Sequence, residues 1–298
     1  MAHSQAASSL APGAGAALGW GGAPEVIVPL AALTALYAVG WWRLTARHAR
    51  AGPWWRPAAG LFGILSLGAA LLPPLARLAH DYFVAHMVQH MLLIVVAAPL
   101  LLLANPLPAA LWALPRPARL RVGRLLAGGS RLRVLWERLT WVSVAGLAFA
   151  GVFWLWHLPW AYDAALAHEW VHHLEHLGFF GVAVLFWWPV IAPAPRAPRP
   201  PSYGVRIAHV LLGAVQGSLL ALLLSVGSRP FYASYAAGRG ASSLAPLEDQ
   251  VWGGIVMWAG GGAADMLAVL VLVWRFLAAS EHGTPPEPAS PPASGSRA

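Results

Sequence analysis

Seven long apolar stretches alternate with polar, arginine-rich or proline-rich segments along the chain. Each stretch provides roughly the 20 apolar residues that a helix needs to cross a bilayer while satisfying its own backbone hydrogen bonds. The pattern therefore predicts an all-α, polytopic membrane protein, a bundle of seven transmembrane helices. The predicted helices cover residues 24–43, 57–78, 82–103, 140–158, 171–192, 205–227 and 250–277.

Composition supports a membrane protein and excludes several classes of site. Hydrophobic residues make up 58% of the chain and charged residues only 10%, whereas a soluble domain has about 25% charged residues. The chain contains no cysteine, which excludes a disulfide framework and thiolate sites for zinc or copper. It also contains no lysine, so it cannot form the Schiff base of a retinal protein.

The placement of arginine predicts the orientation. Arginines cluster after the first, third and fifth predicted helices and at the end of the seventh: Arg43, Arg47, Arg50, Arg56, Arg116, Arg119, Arg121, Arg124, Arg131, Arg133, Arg138, Arg196, Arg199, Arg206 and Arg275. The alternate loops hold Arg77, Arg229 and Arg239. Arginine-rich loops stay in the cytoplasm, so we expect the N-terminus outside and the C-terminus in the cytoplasm. This distribution explains the net charge of +8 without nucleic acid as a partner.

The domain organisation is simple. We expect a flexible N-terminal tail over 1–22, a seven-helix membrane domain over 23–278 and a disordered C-terminal tail over 279–298. The Arg-rich loop 104–139 acts either as a topology determinant or as an amphipathic surface helix on anionic lipid. The sequence contains no phosphate-binding glycine loop and no nucleophile beside a base, which favours a protein that is not an enzyme.

Histidine is the informative residue type. Eight of the 12 histidines fall at one membrane face under this topology: His80, His86, His90, His157, His168, His172, His173 and His176. His86 and His90 are four residues apart, and so are His172 and His176, so each pair lies on one face of its helix. Two such pairs, with His157 at the end of the fourth helix, can provide imidazole nitrogens to one metal ion.

The neighbouring residues favour copper over other metals. Imidazole binds copper, zinc, iron and nickel, and a thioether favours Cu(I); Met87 flanks the histidines of the third helix and Met257 lies in the outer part of the seventh. Glu169 and His173 form a parallel pair on the fifth helix and are candidates for supporting contacts. Interfacial histidines and packed methionines without a metal remain the alternative.

Four further polar residues are candidates for a role. Asp265 and His209 lie within predicted helices, where a carboxylate is costly and indicates function; Asp265 either relays protons or pairs with His209 or Gln216. Asp249 and Gln250, at the outer start of the seventh helix, either cap that helix or accept hydrogen bonds from metal-binding imidazoles.

Four segments together resemble the membrane-integral CtaG family of cytochrome c oxidase assembly factors. They are HMVQHMLLIVVAAPLLLLANP (86–106), WHLPWAYDAAL (156–166), VHHLEHLGFFGVAVLFWWPV (171–190) and PLEDQVWGGIVMW (246–258). This family is distinct from the single-span, cysteine-bearing copper chaperone that shares its name. The resemblance extends from about the first helix to the seventh.

The resemblance implies a role in oxidase assembly and indicates which residues correspond to the family's site. The family's histidines correspond to His86, His90, His157, His172 and His176, its Asp-Gln pair to Asp249 and Gln250, and its Met-Trp to Met257. Asn105 stands where we expect Gly, and Glu248 where a small residue is common. The implied protein is a multi-pass protein of the bacterial plasma membrane that helps to mature the copper centres of a haem-copper oxidase and docks on oxidase subunits.

Three alternatives remain open at this stage. A haem-binding protein would use one histidine from each of two facing helices. A copper transporter would need a polar path through the bilayer, for which only Asp265, His209 and Gln216 lie deep enough. A purely structural chaperone would need no metal. The sequence leaves the oligomeric state undetermined.

Overall fold

The computed structural model describes residues 24–47, 52–195, 197, 200–236 and 244–281. Every regular element among these residues is a helix, as the apolar pattern predicts. The predicted N-terminal tail lies outside the described residues. The last helix continues through residues 279–281 of the predicted C-terminal tail, and the remainder of that tail, 282–298, also lies outside.

Thirteen helices follow one another along the described residues. Seven lie before the fourth predicted span: α1 Pro24–Arg47, α2 Trp55–Leu71, α3 Leu75–Asp81, α4 Phe83–Leu103, α5 Pro106–Ala113, α6 Arg116–Leu125 and α7 Arg131–Leu139. Six follow: α8 Val142–Trp156, α9 Pro159–Ala167, α10 Glu169–Ile191, α11 Tyr203–Val226, α12 Ala233–Ala236 and α13 Pro246–Glu281.

Five of the seven predicted spans are single helices among the described residues, and the total reaches seven if two bent helix pairs each cross the membrane once. Helices α1, α4, α10, α11 and α13 are long and apolar enough to cross a membrane singly. The second predicted span corresponds to the pair α2 and α3, bent by 41°; the fourth corresponds to α8, which qualifies only together with α7, from which it is bent by 65°. Pro73 and Pro74 separate α2 from α3; proline lacks the backbone donor that a continuous helix requires.

Helix α4 is the centre of the bundle and packs against α2, α10 and α13. Its middle, Leu92–Ala97, is a π-helical stretch, and neighbouring side chains bond to carbonyl groups there. Ser66 Oγ donates to the Leu92 carbonyl at 3.1 Å, and Trp187 Nε1 donates to the Ile94 carbonyl at 2.9 Å. These bonds fix the rotation of α4 relative to α2 and α10, and therefore the direction in which its histidines point.

Small residues allow α11 and α13 to pack closely. A Cβ added at Gly254 would lie 2.9 Å from the Ala221 carbonyl oxygen, so only glycine fits there. Close approach at small residues is typical of helix pairs in membranes. The run Gly260 to Gly262 does not break α13, which is continuous over 36 residues.

The bundle has two ends of different chemistry. The histidine end contains the N-termini of α4, α10 and α13, with α9 and α12. The arginine end contains the C-termini of α1, α4 and α10, with α5, α6 and α7. The Asn105 side chain joins two of these C-termini, because its Oδ1 accepts from the Ala194 backbone N–H at 2.7 Å. Which end is cytoplasmic stays a prediction from the arginines.

The arginine-rich segment 104–139 forms three short helices rather than one surface helix. Arg119 lies over the ring of Trp112, 4.0 Å from its centroid, and Arg133 Nε donates to Glu137 Oε1 at 2.6 Å. Asn105, which begins the segment, has φ 50° and ψ 64°. Glycine and asparagine tolerate this left-handed conformation best, which explains why asparagine can stand where the resemblance leads us to expect glycine.

Candidate metal centre

The structure brings five of the eight outer-face histidines into one buried cluster at the histidine end. His86 and His90 come from α4, His172 and His176 from α10, and His157 from the residue after α8. The ring centroids of His86 and His90 lie 4.3 Å apart and those of His172 and His176 4.2 Å apart. Between the helices, His86 and His172 are separated by 5.1 Å and His90 and His176 by 5.6 Å.

Four of the side chains converge closely enough to share a metal ion. One ligand atom from each of His86, His172, Glu175 and His176 lies within 4.8 Å of the others. His86, Glu175 and His176 are buried, with exposed fractions of 0%, 0% and 7%. Three imidazoles and a carboxylate form a ligand set that suits zinc, copper or iron.

Most polar side-chain atoms of the cluster have no hydrogen-bond partner. Eight buried atoms are in this state: His86 Nε2, His90 Nδ1, His90 Nε2, His157 Nε2, His172 Nε2, Glu175 Oε1, Glu175 Oε2 and His176 Nε2. Leaving one buried polar group unsatisfied costs about 1–3 kcal/mol, and native proteins contain few such groups. Eight in one place fit a cluster whose lone pairs serve a metal ion.

Hydrogen bonds outside the cluster fix the tautomers of two imidazoles. Tyr235 Oη donates its proton to the Ala79 carbonyl at 2.7 Å, so it accepts from His86 Nδ1–H at 3.3 Å. His157 Nδ1–H donates to the Phe153 carbonyl at 2.7 Å. In both rings Nε2 therefore carries the lone pair and is ready to bind a metal. A hydrogen bond on the distal nitrogen is the usual support of a metal-bound histidine.

Asp249 positions the helix that carries His86 and His90. Its two carboxylate oxygens accept from the backbone N–H groups of Phe83 at 2.6 Å and Val84 at 2.9 Å. Asp249 belongs to α13 but caps the first turn of α4, where a negative charge also opposes the positive end of the helix dipole. Of the two roles predicted for Asp249, the structure shows capping, but of the neighbouring helix and not of its own.

Gln250 and Asp163 hold the loop that covers the cluster. Gln250 Oε1 accepts from the Phe231 N–H at 2.7 Å and its Nε2 donates to the Leu224 carbonyl at 3.0 Å. Asp163 accepts from the N–H groups of Ala233 and Ser234 at the start of α12. This loop carries Tyr235, which bonds to His86, so anchoring of the loop also helps to fix the His86 imidazole.

With this geometry established, the family can be assigned. The model of the cytochrome c oxidase caa3 assembly factor family, Caa3_CtaG, matches residues 35–279. The chain belongs to this family. The sequence resemblance is confirmed, and the matched region contains all five clustered histidines, Glu175 and Asp249. No curated protein and no solved structure matches the chain.

Aromatic side chains enclose the cluster in this assembly-factor chain. The Tyr162 ring lies 5.1 Å from that of His86, and the Phe179 ring lies 4.5 Å from that of His90. Tyr232 stacks on Tyr162 at 4.0 Å and donates from Oη to the His157 carbonyl at 3.2 Å. Burial raises the pKa of Tyr162 and of Tyr232 above the usual value, so both phenols are neutral in the metal-free protein.

The two methionines predicted as ligands pack between α4 and α13. Met87 is fully buried and lies against Gly253, where an added Cβ would be 3.2 Å from Met87 Cγ. Met257 lines a cavity of about 50 Å³ together with Met91 and Asp265. Both methionine side chains are buried.

The intramembrane polar residues His209 and Asp265 do not pair. His209 Nε2–H donates to the Phe186 carbonyl at 3.0 Å, and the His209 ring stacks on Phe186. No ion pair joins His209 to Asp265 in the described part of the chain. Asp265 instead faces the small cavity with Met91 and Met257.

The parallel pair Glu169 and His173 is exposed and lies outside the buried cluster. His173 instead lines a groove of about 400 Å³ between α1, α2 and α10, together with Glu25 and Leu30. His176 lines the same groove. One imidazole of the buried cluster therefore borders a groove that the exposed side chain of His173 also lines. His80 and His168 are exposed as well.

Glu175 is the site residue that sequence reasoning missed. It is completely buried, and both its oxygens face the histidines of α4. The signal was present: His172, Glu175 and His176 have the spacing i, i+3, i+4, which places them on one helix face. A carboxylate on the buried face of a membrane helix also indicates function. The i, i+4 spacing instead pairs Glu169 with His173, on another face of the helix.

Proposed function

We propose that this chain holds copper at the histidine end during assembly of cytochrome c oxidase. The assembly-factor family supplies the pathway. The observation that carries the proposal is the convergence of eight unpartnered polar atoms from five histidines and Glu175. Such a cluster is costly to maintain without an ion and useful with one.

The ligand chemistry supports copper among the metals that imidazole binds. A site of nitrogen and oxygen ligands binds Cu²⁺ more tightly than the other divalent ions of the first transition row. Cytochrome c oxidases of this kind contain copper, so copper is the metal that such an assembly factor has reason to handle. Copper held in this way needs no methionine ligand, and Met87 and Met257 are instead buried between α4 and α13.

The spacing of the imidazoles favours a small ion over haem. The rings of His86, His90 and His176 lie within 6.0 Å of one another between centroids, and Phe179 and Tyr162 close the cluster. A porphyrin between two of these rings would have to displace the others. The geometry therefore supports metal binding by several imidazoles together and not axial ligation of haem by two.

The deep polar residues give little support to a copper transporter. His209 is hydrogen-bonded to the Phe186 carbonyl, and Asp265 faces a small, mostly apolar cavity of about 50 Å³. These two residues therefore do not form a continuous polar path. We propose a protein that holds and hands over copper without catalysing a reaction, in the bacterial plasma membrane, docked on an oxidase subunit.

The test is the copper and iron content of the detergent-purified protein after loading with copper. We expect copper in the wild type and a loss of at least 80% of it in the double variant His86→Ala/His90→Ala. The matched control is His209→Ala, which removes a buried histidine outside the cluster and should keep its copper. Iron with a haem spectrum in the wild type would contradict the proposal, as would equal copper in wild type and double variant.

A further inference from the structure

We propose that Glu175 bridges two metal ions, so that the histidine cluster is a dinuclear site. The first ion lies among His86, His172, His176 and Glu175 Oε2. The second lies between Glu175 Oε1, His90 and His157. This inference rests on the proposed metal-binding function and goes beyond it, because it fixes the number of ions and assigns each histidine to one of them.

The two oxygens of Glu175 face two different histidines. Glu175 Oε2 lies 3.4 Å from His86 Nε2, and Glu175 Oε1 lies 3.6 Å from His90 Nε2. None of these four atoms has a hydrogen-bond partner, so the short distances are not hydrogen bonds. Two ligand atoms on one tetrahedral ion, each about 2.0–2.1 Å from it, lie roughly 3.3 Å apart. Each nitrogen–oxygen pair therefore has the separation expected across one metal ion.

A single ion cannot use all these groups. The four ligand atoms that converge within 4.8 Å belong to His86, His172, Glu175 and His176. They already satisfy a four-coordinate ion. His90 and His157 are left over, although both are buried and carry unpartnered nitrogens.

His90 and His157 are suited to a second ion. Their ring centroids lie 6.3 Å apart, and the hydrogen bond from His157 Nδ1 to the Phe153 carbonyl leaves His157 Nε2 as the metal-binding atom. Both nitrogens of His90 lack partners, so either can bind. With Glu175 Oε1, this gives the second ion three protein ligands. A site with three protein ligands keeps an open coordination position, from which an ion can be passed to a partner.

The shared carboxylate predicts that the two ions bind unequally. One Glu175 charge offsets one positive charge, so the second ion enters a site that is already neutral or positive. Repulsion between ions about 4 Å apart in a buried site should make the second binding step at least about tenfold weaker than the first. The ion at His90 and His157 would then be the one released first.

The test is a titration of the purified full chain with Cu²⁺, followed by measurement of bound copper and of the electron paramagnetic resonance signal. We expect two Cu²⁺ per chain at saturation, in two steps, with a spin count below the copper count because the bridge couples the two ions. His157→Ala should bind one Cu²⁺ with a full spin count. His209→Ala, the matched control, should bind two with the reduced spin count.

The outcomes separate this inference from the proposed function. One copper per wild-type chain at saturation, or two with a full spin count, would overturn the bridge while leaving the copper-holding function intact. No specifically bound copper would overturn both. If His157→Ala fails to fold in detergent, His157→Gln keeps the side-chain volume closer to that of histidine and should give the same single, uncoupled ion.

Discussion

The two ends of the bundle use basic side chains in opposite ways. At the histidine end five imidazoles are buried or nearly so, and their free nitrogens point at one another without partners. At the arginine end most guanidinium groups of α6 and α7 are exposed, and the less exposed Arg119 and Arg133 bind Trp112 and Glu137. One end concentrates unsatisfied lone pairs in an enclosed space, and the other distributes positive charge over a surface.

This difference fits the metal site proposed at one end and the orientation signal predicted at the other. Arginines on a surface act through their charge and tolerate exchange, because water and lipid headgroups solvate them. Buried imidazoles act through position, and for His86 and His157 a hydrogen bond fixes that position. Substitutions at the histidine end should therefore change metal binding far more than substitutions at the arginine end.

The largest effect is expected for Glu175→Ala. Loss of the shared carboxylate should weaken copper binding by at least about 100-fold, which corresponds to about 2.7 kcal/mol. The metal-free protein should be no less stable, because the substitution removes a buried carboxylate that has no hydrogen-bond partner. Copper affinity and the thermal midpoint Tm of the metal-free protein measure the two effects. A lowered Tm with unchanged affinity would indicate a structural role instead.

A smaller effect is expected for Asp249→Ala, which acts on the histidine end indirectly. Removal of the two bonds to the α4 backbone should lower the free energy of unfolding by about 1–2 kcal/mol. Copper binding should weaken by about tenfold, because His86 and His90 lose their fixed positions. Glu248→Ala, at the exposed neighbouring position, is the control and should change neither quantity. Equal effects of the two substitutions would contradict the capping role.

Substitutions of Asn105 test the arginine end, because this residue has a left-handed backbone conformation. Asn105→Ala should lower the free energy of unfolding by about 1–2 kcal/mol, because alanine tolerates the left-handed conformation poorly. The bond to the Ala194 N–H is lost as well. Asn105→Gly should cost less, since glycine adopts this conformation freely. Copper affinity should be unchanged in both variants, and a loss in either would show that the two ends are coupled.

The smallest effect is expected for exposed arginines of α6. Arg121→Gln and Arg124→Gln should each change the free energy of unfolding by less than about 0.5 kcal/mol and leave copper affinity unchanged. A titration and a melting curve of each variant are sufficient. Loss of copper in either would contradict the separation between the two ends.

The sequence alone predicts where the helices lie and which histidines form most of the cluster. Apolar length predicts the spans, and the i, i+4 spacing predicts that His86 and His90 share a face with each other, as do His172 and His176. The bends were not predicted, because the length of an apolar stretch indicates that it can cross the membrane and contains no information on whether the helix is straight. Pro73 and Pro74 mark one bend, whereas nothing in the polarity pattern marks the turn between α7 and α8.

Contacts between distant segments explain what the sequence could not predict. Asp249 caps a helix that begins 166 residues earlier, and Tyr235 reaches His86 across 149 residues. Periodicity describes one helix at a time and contains no information on which helices meet. Glu175 is different, because its position between His172 and His176 could have identified it.

X-ray absorption spectroscopy of the copper-loaded protein distinguishes copper in the histidine cluster from copper at methionine. Copper held by the clustered histidines and Glu175 should show a first shell of nitrogen and oxygen only, with the outer-shell scattering of several imidazole rings and no sulfur. Glu175→Ala should lose bound copper under the same conditions. Sulfur scattering in the first shell would contradict binding in the cluster around Glu175, because it would place copper at Met87 or Met257, between α4 and α13.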